Sequence, residues 1–298
     1  MKPRSKVIFI LAANLCFYGC ESPRDETIPI SIDELLSQVS ESEILATASD
    51  LQGFVTRVVG YQGNIDAATY IHERFTAMPG LNVTYQGGSQ RNVIATLPGT
   101  DSAATKIYIV GAHYDSTSGT PAIAPGATDN ACGVGIVLEL ARIMSKYSFK
   151  NDLKFVAWNA EEAGSAGSYA YVSEAELNHE NIGLYVNYDS AGYDPDGRLI
   201  LDIMYNDNSQ GAAELMKRYN SLYGLGFTIT YNVHIGCTSD HRPFWKHGIS
   251  SVMTHSEVHG PAHTADDTVD KISTLYAKKN GQLGMAILAE LAGLTTTR

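Results

Sequence analysis

Three short runs, residues 106–110, 153–158 and 182–187, are mostly apolar and rich in β-branched and aromatic side chains. A strand of that kind has no polar face to show to water, so it must be covered on both sides. Helical periodicity intervenes at 131–144 and 165–172, and alternating strands and helices predict a parallel core sheet with helices packed on both faces. The expected class is therefore α/β: a mixed, largely parallel central sheet flanked by helices. In open sheets of this kind, ligands bind outside the carboxyl ends of the strands, and that edge is where chemistry is sought.

The remaining chain fits the same plan. Ile32, Leu35, Leu36 and Val39 recur at helical spacing, with Ser31 and Glu34 placed as a capping box. A second amphipathic stretch covers 65–78 and is closed by Pro79-Gly80. Residues 81–85 and 92–97 read as a hairpin-type pair, 199–204 and 249–253 as further strands, 209–223 as a helix, and 269–294 as containing a final helix. There is no internal repeat and no low-complexity segment.

Past each central strand lies a potential metal ligand. His113 and Asp115 follow the first, Glu161 and Glu162 the second, and Asp189 the third. Asp129 sits in a glycine-containing loop before a helix, and His263 arrives near the end of the chain. Two imidazoles and several carboxylates are the donor set that a pair of divalent ions needs: a histidine and a terminal carboxylate for each, and a shared carboxylate between them. The loop around Asp129 suits the shared position. Adjacent glutamates point in different directions, so one can hold metal while the other handles a proton. Singly these features are weak. A lone histidine is commonly structural, a Glu-Glu pair commonly a solvated face, and an Asp after a strand commonly a cap. Their recurrence at the ends of consecutive strands is what carries the argument. Ser239-Asp240-His241 holds the residue types of a hydrolase triad, but immediate neighbours cannot form its hydrogen-bonded line. His255, His259 and His263 are spaced like one helical face, but Gly260-Pro261 breaks any helix there. His255 and His259 are expected to be pocket or structural residues.

Composition bounds the rest. The 298 residues suit one large domain, and a hydrophobic fraction of 44% supplies its core. A net charge of -11 repels phosphate backbones and argues against nucleic acid as a partner. Lys2, Arg4 and Lys6 precede an apolar run over 7–17 that is too short to span a bilayer. Gly19-Cys20 then resembles a lipobox, with Phe17 standing where an aliphatic residue is usual. Residues 1–19 are thus expected to be a signal peptide, 20–30 a tether, and 31–298 a single catalytic domain. The expectation is an exported protein, periplasmic or at the cell surface, monomeric, and touching the membrane only through a lipid on Cys20. Of the remaining cysteines, Cys132 and Cys237 lie near site segments. They are as readily two thiols as a disulfide.

Six segments sharpen the reading: His113 to Ser116, Pro125 to Asn130, Asn159 to Ser168, Tyr188 to Gly192, Ser239 to Phe244 and His263 to Thr268. In content and order they resemble the signature blocks of the M28 zinc aminopeptidases, across roughly residues 90–290. The resemblance implies the zinc-exopeptidase fold, two zinc ions, and hydrolysis of the N-terminal residue of a peptide substrate. It also implies roles: His113 and Asp189 on one ion, Glu162 and His263 on the other, Asp129 bridging, Glu161 as general base, and Asp115 orienting His113. The chain departs from the pattern where some members carry a tyrosine before the Ser-Asp-His block. Here the stretch 234–238 holds none, and Tyr231 is several residues upstream. The oxyanion-stabilising residue is therefore left unassigned, with His241 and Tyr231 as alternatives to metal alone. Two other functions remain open at this point: a glutaminyl-peptide cyclase, a related scaffold with one catalytic zinc, and a non-catalytic binding module. The module reading calls for a missing ligand or base, and none is missing.

Overall fold

The computed structural model describes residues 30–88, 91–232 and 238–298. The leader, Cys20, most of the tether, and Cys237 with its proposed pairing lie outside them.

The central sheet has eight strands in the order β1-β2-β5-β3-β6-β9-β7-β8. They are β1 (Asn82–Gln86), β2 (Asn92–Leu97), β3 (Ile107–His113), β5 (Asp152–Trp158), β6 (Ile182–Tyr188), β7 (Ile200–Met204), β8 (Thr228–Asn232) and β9 (Ser251–Ser256). The four inner strands β5, β3, β6 and β9 run parallel, while β1 and β2 join antiparallel on one side and β7 is antiparallel to β9 on the other. A mixed, largely parallel sheet is what the apolar runs implied. Their carboxyl ends consequently share one edge.

Alternation along the inner strands builds two cores. Tyr108, Val110, Ala112, Leu153, Phe155, Leu184 and Val186 face one layer, and Ile109, Val156, Trp158 and Tyr185 face the other. The first layer holds α1 (Ile32–Ser37), α2 (Glu41–Gln52), α3 (Gln62–Thr76), α4 (Cys132–Met144), α6 (Gln210–Leu222) and α8 (Thr274–Ala292). The second holds α5 (Ala166–Leu177) and α7 (His241–Lys246), through Tyr171, Val172, Ala175 and Phe244. Twelve of the thirteen residues of α4 are buried, because α2 and α8 cover the side that does not meet the sheet. Each of its buried leucines and isoleucines contributes about 1.5–3 kcal/mol from burial. Among the described residues no helix is long and apolar enough to cross a membrane.

Several boundaries differ from expectation for physical reasons. The strand expected to end at 110 continues to His113, because Gly111 and Ala112 keep the ladder to β5 in register. Gly111 is needed there, since a Cβ would lie 2.7 Å from Trp158 Nε1. The helix expected over 165–172 runs on to Leu177, since Ala175 extends its buried face. Pattern reading did not find α2, β8, or the small two-stranded sheet of β4 (Tyr147–Phe149) and β10 (Leu294–Thr297). Ser31 caps α1 as expected, its Oγ accepting from the Glu34 amide at 3.3 Å.

Candidate metal centre

The parallel inner strands deliver the candidate ligands to one edge. His113 is the last residue of β3, Glu161 and Glu162 lie in the turn after β5, Asp189 follows β6, and His263 lies in the loop beyond β9. Asp129 lies between β3 and α4, in a turn entered through Gly126 at a φ of 52°, a left-handed conformation that glycine adopts without strain.

Two donor groups result, and Asp129 belongs to both. His113, Asp129 and Asp189 bring one ligand atom each to a common point, as do Asp129, Glu162 and His263. Asp129 Oδ1 lies 3.2 Å from His113 Nε2, and Oδ2 lies 3.1 Å from His263 Nε2. His113 Nε2 is 3.7 Å from Asp189 Oδ1, and His263 Nε2 is 3.1 Å from Glu162 Oε2. Ligands held about 2.0–2.2 Å from one tetrahedral zinc stand roughly 3.4 Å apart, so these spacings fit. The orphaned atoms point the same way. His113 Nε2, Asp129 Oδ1 and Glu162 Oε1 are buried without a hydrogen-bond partner. Leaving such atoms unsatisfied costs about 1–3 kcal/mol each. His113 Nε2 and Asp129 Oδ1 are close but not aligned on each other, as two ligands aimed at a third atom would be. A third group, His113 with Glu161 and Glu162, places Glu161 beside both sets without membership of either pair.

The electrostatics are those of a crowded acidic pocket. Burial pushes the Glu161 carboxyl up to about 9, reinforced by the charges of Asp189, Asp240 and Asp115. Burial likewise raises Glu162. Burial alone would lower His113, but Asp115, Asp129 and Asp189 outweigh it and hold the imidazole well above its ordinary value. Hydrogen bonding to Asp129 and then Glu162 lifts His263 to about 10. Burial opposes ionisation of Asp129, but His113 and His263 overcome it and hold the carboxyl below the usual range. Bound cations would replace those protons.

The surroundings position these groups. His113 Nδ1 faces the backbone oxygen of Asp115 at 3.1 Å and its carboxylate at 3.5 Å. Asp115 does more than orient His113: its Oδ1 and Oδ2 accept the amides of Glu161 and Glu162, each at 3.1 Å. It therefore ties the β3 and β5 ends together. Asp267, read from sequence only as part of the His263 segment, accepts from the Thr128 amide and hydroxyl at 2.8 and 2.6 Å and from the Asp129 amide at 3.0 Å. Arg57 was missed altogether. It is wholly buried and donates to the carbonyls of Tyr114, Pro125 and Gly126 at 2.6, 2.7 and 2.8 Å. Nothing in a local pattern marks it, because its acceptors are all backbone oxygens: Leu51 at 3.3 Å, six residues away, and the other three 57 to 69 residues away.

Asp129, Glu161, Glu162, Asp189 and His263 line one cavity of about 320 Å³, with Met253, Thr238 and His259 among its other walls. His255 is buried beside it and stacks on His259. His241, one of the open oxyanion choices, is wholly buried, and burial lowers it to about 3. The other, Tyr231, packs edge-on against Tyr205. Neither lines the cavity. Cys132 is buried behind the site, and burial pushes its thiol up to about 12.

Comparison with known proteins bears on this geometry. The model of Peptidase family M28 matches residues 92–288. Leucine aminopeptidase 1 of Blastomyces gilchristii is 25% identical over 299 residues, covering 91% of this chain and 76% of the relative. LapB from Legionella pneumophila superposes with a TM-score of 0.79 at 20% identity, over 88% of this chain and 74% of that one. BSAP, a zinc aminopeptidase from Bacillus subtilis, is 29% identical with a TM-score of 0.58, over 68% of this chain and 50% of that one. The fold is also that of a glutaminyl cyclase from Fimbriiglobus ruber, with a TM-score of 0.71 at 17% identity over 84% of this chain and 94% of that one.

Proposed function

The chain belongs to peptidase family M28, and from that premise we propose that it is a zinc aminopeptidase working with two ions. The observation that carries this reading is Asp129, whose two oxygens face two separate histidines, each with its own further carboxylate. His113 and Asp189 would hold one ion, Glu162 and His263 the other, and Asp129 both. Zinc at such a site lowers the pKa of water and polarises a carbonyl. Glu161 is left to move the proton. Its Oε1, beside Ser165 Oγ at 3.3 Å, takes a proton from the attacking water and passes it to the leaving amine. Asp115 holds the Glu161 amide, so the carboxylate starts from a fixed backbone. The acidic cavity suits a protonated α-amine, which favours attack at the first peptide bond over an internal one.

The test is a panel of aminoacyl p-nitroanilides beside a glutaminyl peptide, with elemental analysis. Release of p-nitroaniline, lost on chelation and restored by zinc, with two zinc ions per chain, is expected. Cyclisation of the glutaminyl peptide with no hydrolysis of the panel, or one zinc per chain, would return the site to the cyclase reading.

A further inference from the structure

A second cavity of about 220 Å³ adjoins the metal centre, lined by Gly164, Ser165, Tyr169, Thr238, Arg242 and Lys246. Gly164 and Thr238 are walls of both cavities. Ser165 lines the second, and its hydroxyl touches Glu161 at 3.3 Å. The two cavities share these walls, and the charge of the lining reverses from one to the other. The metal side is walled by Asp129, Glu161, Glu162 and Asp189 with no lysine or arginine. The other side carries Arg242 and Lys246 with no carboxylate. Lys246 lies over the Tyr169 ring, 4.8 Å from its centroid, and makes no ion pair among the described residues. In a chain of net charge -11, a lysine without an ion pair on a concavity beside a reaction centre, with an arginine in the same wall, draws an anion.

We infer that this cavity is a subsite for a carboxylate on the leaving side of the substrate, an inference that rests on the aminopeptidase reading. The α-amine of a peptide is drawn to the acidic end, and the scissile carbonyl sits by Glu161. The second cavity begins at Ser165, beside Glu161, and each further residue extends the chain by about 3.3–3.6 Å, so the first leaving residues are the ones that enter it. The carboxylate can be the C-terminus of a di- or tripeptide or an acidic side chain at those positions. The preferred substrates are then short peptides with free C-termini, or peptides acidic just beyond the cleaved bond.

The experiment compares kcat/KM for Leu-Gly-Gly with that for its C-terminal amide, and for Leu-Glu-Gly amide with that for Leu-Gln-Gly amide, on the zinc-loaded protein. The first ratio reads a terminal carboxylate and the second a side-chain one. We expect at least one ratio of about tenfold, the scale of a charge-assisted contact at a partly exposed site. It should sit in KM and shrink as salt is raised. Lys246→Glu should bring that ratio to one or below, and Lys246→Arg should restore it. A merely structural Lys246–Tyr169 contact would alter both substrates of a pair alike and leave the ratio standing. Ratios near one in the wild type, or a ratio that survives Lys246→Glu or is indifferent to salt, overturn the subsite while hydrolysis itself stands. Failure to cleave any of the four peptides overturns the aminopeptidase reading and the subsite with it.

Discussion

Glu161 and Glu162 differ by one position and, in the proposed mechanism, by kind. Glu162 reaches the His263 and Asp129 group, whereas Glu161 turns toward Ser165. Glu161→Gln should keep the shape and the metal but lose the proton acceptor, lowering kcat by about 10²–10⁴-fold with zinc content unchanged. Glu162→Gln should lower zinc occupancy as well as rate. Metal stoichiometry measured beside initial rates on a leucyl substrate decides the matter, and zinc lost from the Glu161 variant but kept by the Glu162 variant would reverse the two roles. These residues were legible in the sequence because each follows a buried strand, and the ends of parallel strands meet at one edge. Asp267 was only half legible. Its place beside the His263 segment was visible, but its hold on the Asp129 amide depends on a contact 138 residues away.

At the scale of elements, the site is a set of strand ends held in register by buried polar ties. Asp115 binds the end of β3 to the turn after β5, and Arg57 binds the β3 end to the turn that carries Asp129. The guanidinium is fully buried, and burial lowers it to about 10 although Asp267, Asp115, Asp129 and Glu162 oppose the fall. Arg57→Met removes the charge and strands four buried carbonyls. The expected loss is about 3–5 kcal/mol of stability, since each buried acceptor left unsatisfied costs about 1–3 kcal/mol and part of that is relaxed, with weaker zinc retention even where the protein stays folded. Arg57→Lys keeps the charge but not the fork, so it should fall between. Urea unfolding with matched metal analysis checks this, and an Arg57→Met protein of wild-type stability would remove Arg57 from the scaffold. The central elements were readable for the same reason that the sheet is buried: β3, β5 and β6 carry apolar residues on both faces. The outer ones were not. β8 lies at the sheet edge, where Tyr231 is exposed. In α2 the buried positions Ile44, Thr47, Ala48 and Leu51 include a threonine and an alanine, which blur the hydrophobic period. No pattern of spacing reports a tie such as Arg57, whose acceptors are main-chain oxygens.

For the whole molecule, the metal-free centre makes stability a function of pH with a definite sign. Ordinary values are about 3.9 for Asp, 4.3 for Glu and 6.5 for His. In the folded metal-free chain Glu161 is pushed up to about 9, Asp240 to about 7, His263 to about 10, and His113 well above its ordinary value. A group with a raised folded pKa binds its proton more tightly when folded. Its contribution is full below the unfolded pKa and is lost as pH climbs through the folded one. His241 runs the other way: lowered to about 3, it contributes fully above about 6.5 and loses that contribution as the solution is acidified. Above pH 6.5, therefore, these shifts all act in one direction, and the metal-free protein should become steadily less stable toward pH 9. In the proposed site zinc would compete with protons for His113, His263 and the carboxylates around them, so its binding should strengthen over the same interval. Zinc at a thousand times its dissociation constant adds about 4 kcal/mol, which for a chain of this size raises Tm by about 7 °C. The gap between zinc-loaded and chelated protein should accordingly widen from pH 6.5 to 9, mainly because the chelated curve falls. Calorimetric scans of both forms at three pH values across that range measure it. A chelated Tm that is flat or rises with pH would mean that protons do not hold the empty carboxylate cluster together, and that the cluster is not as buried in solution as the fold makes it.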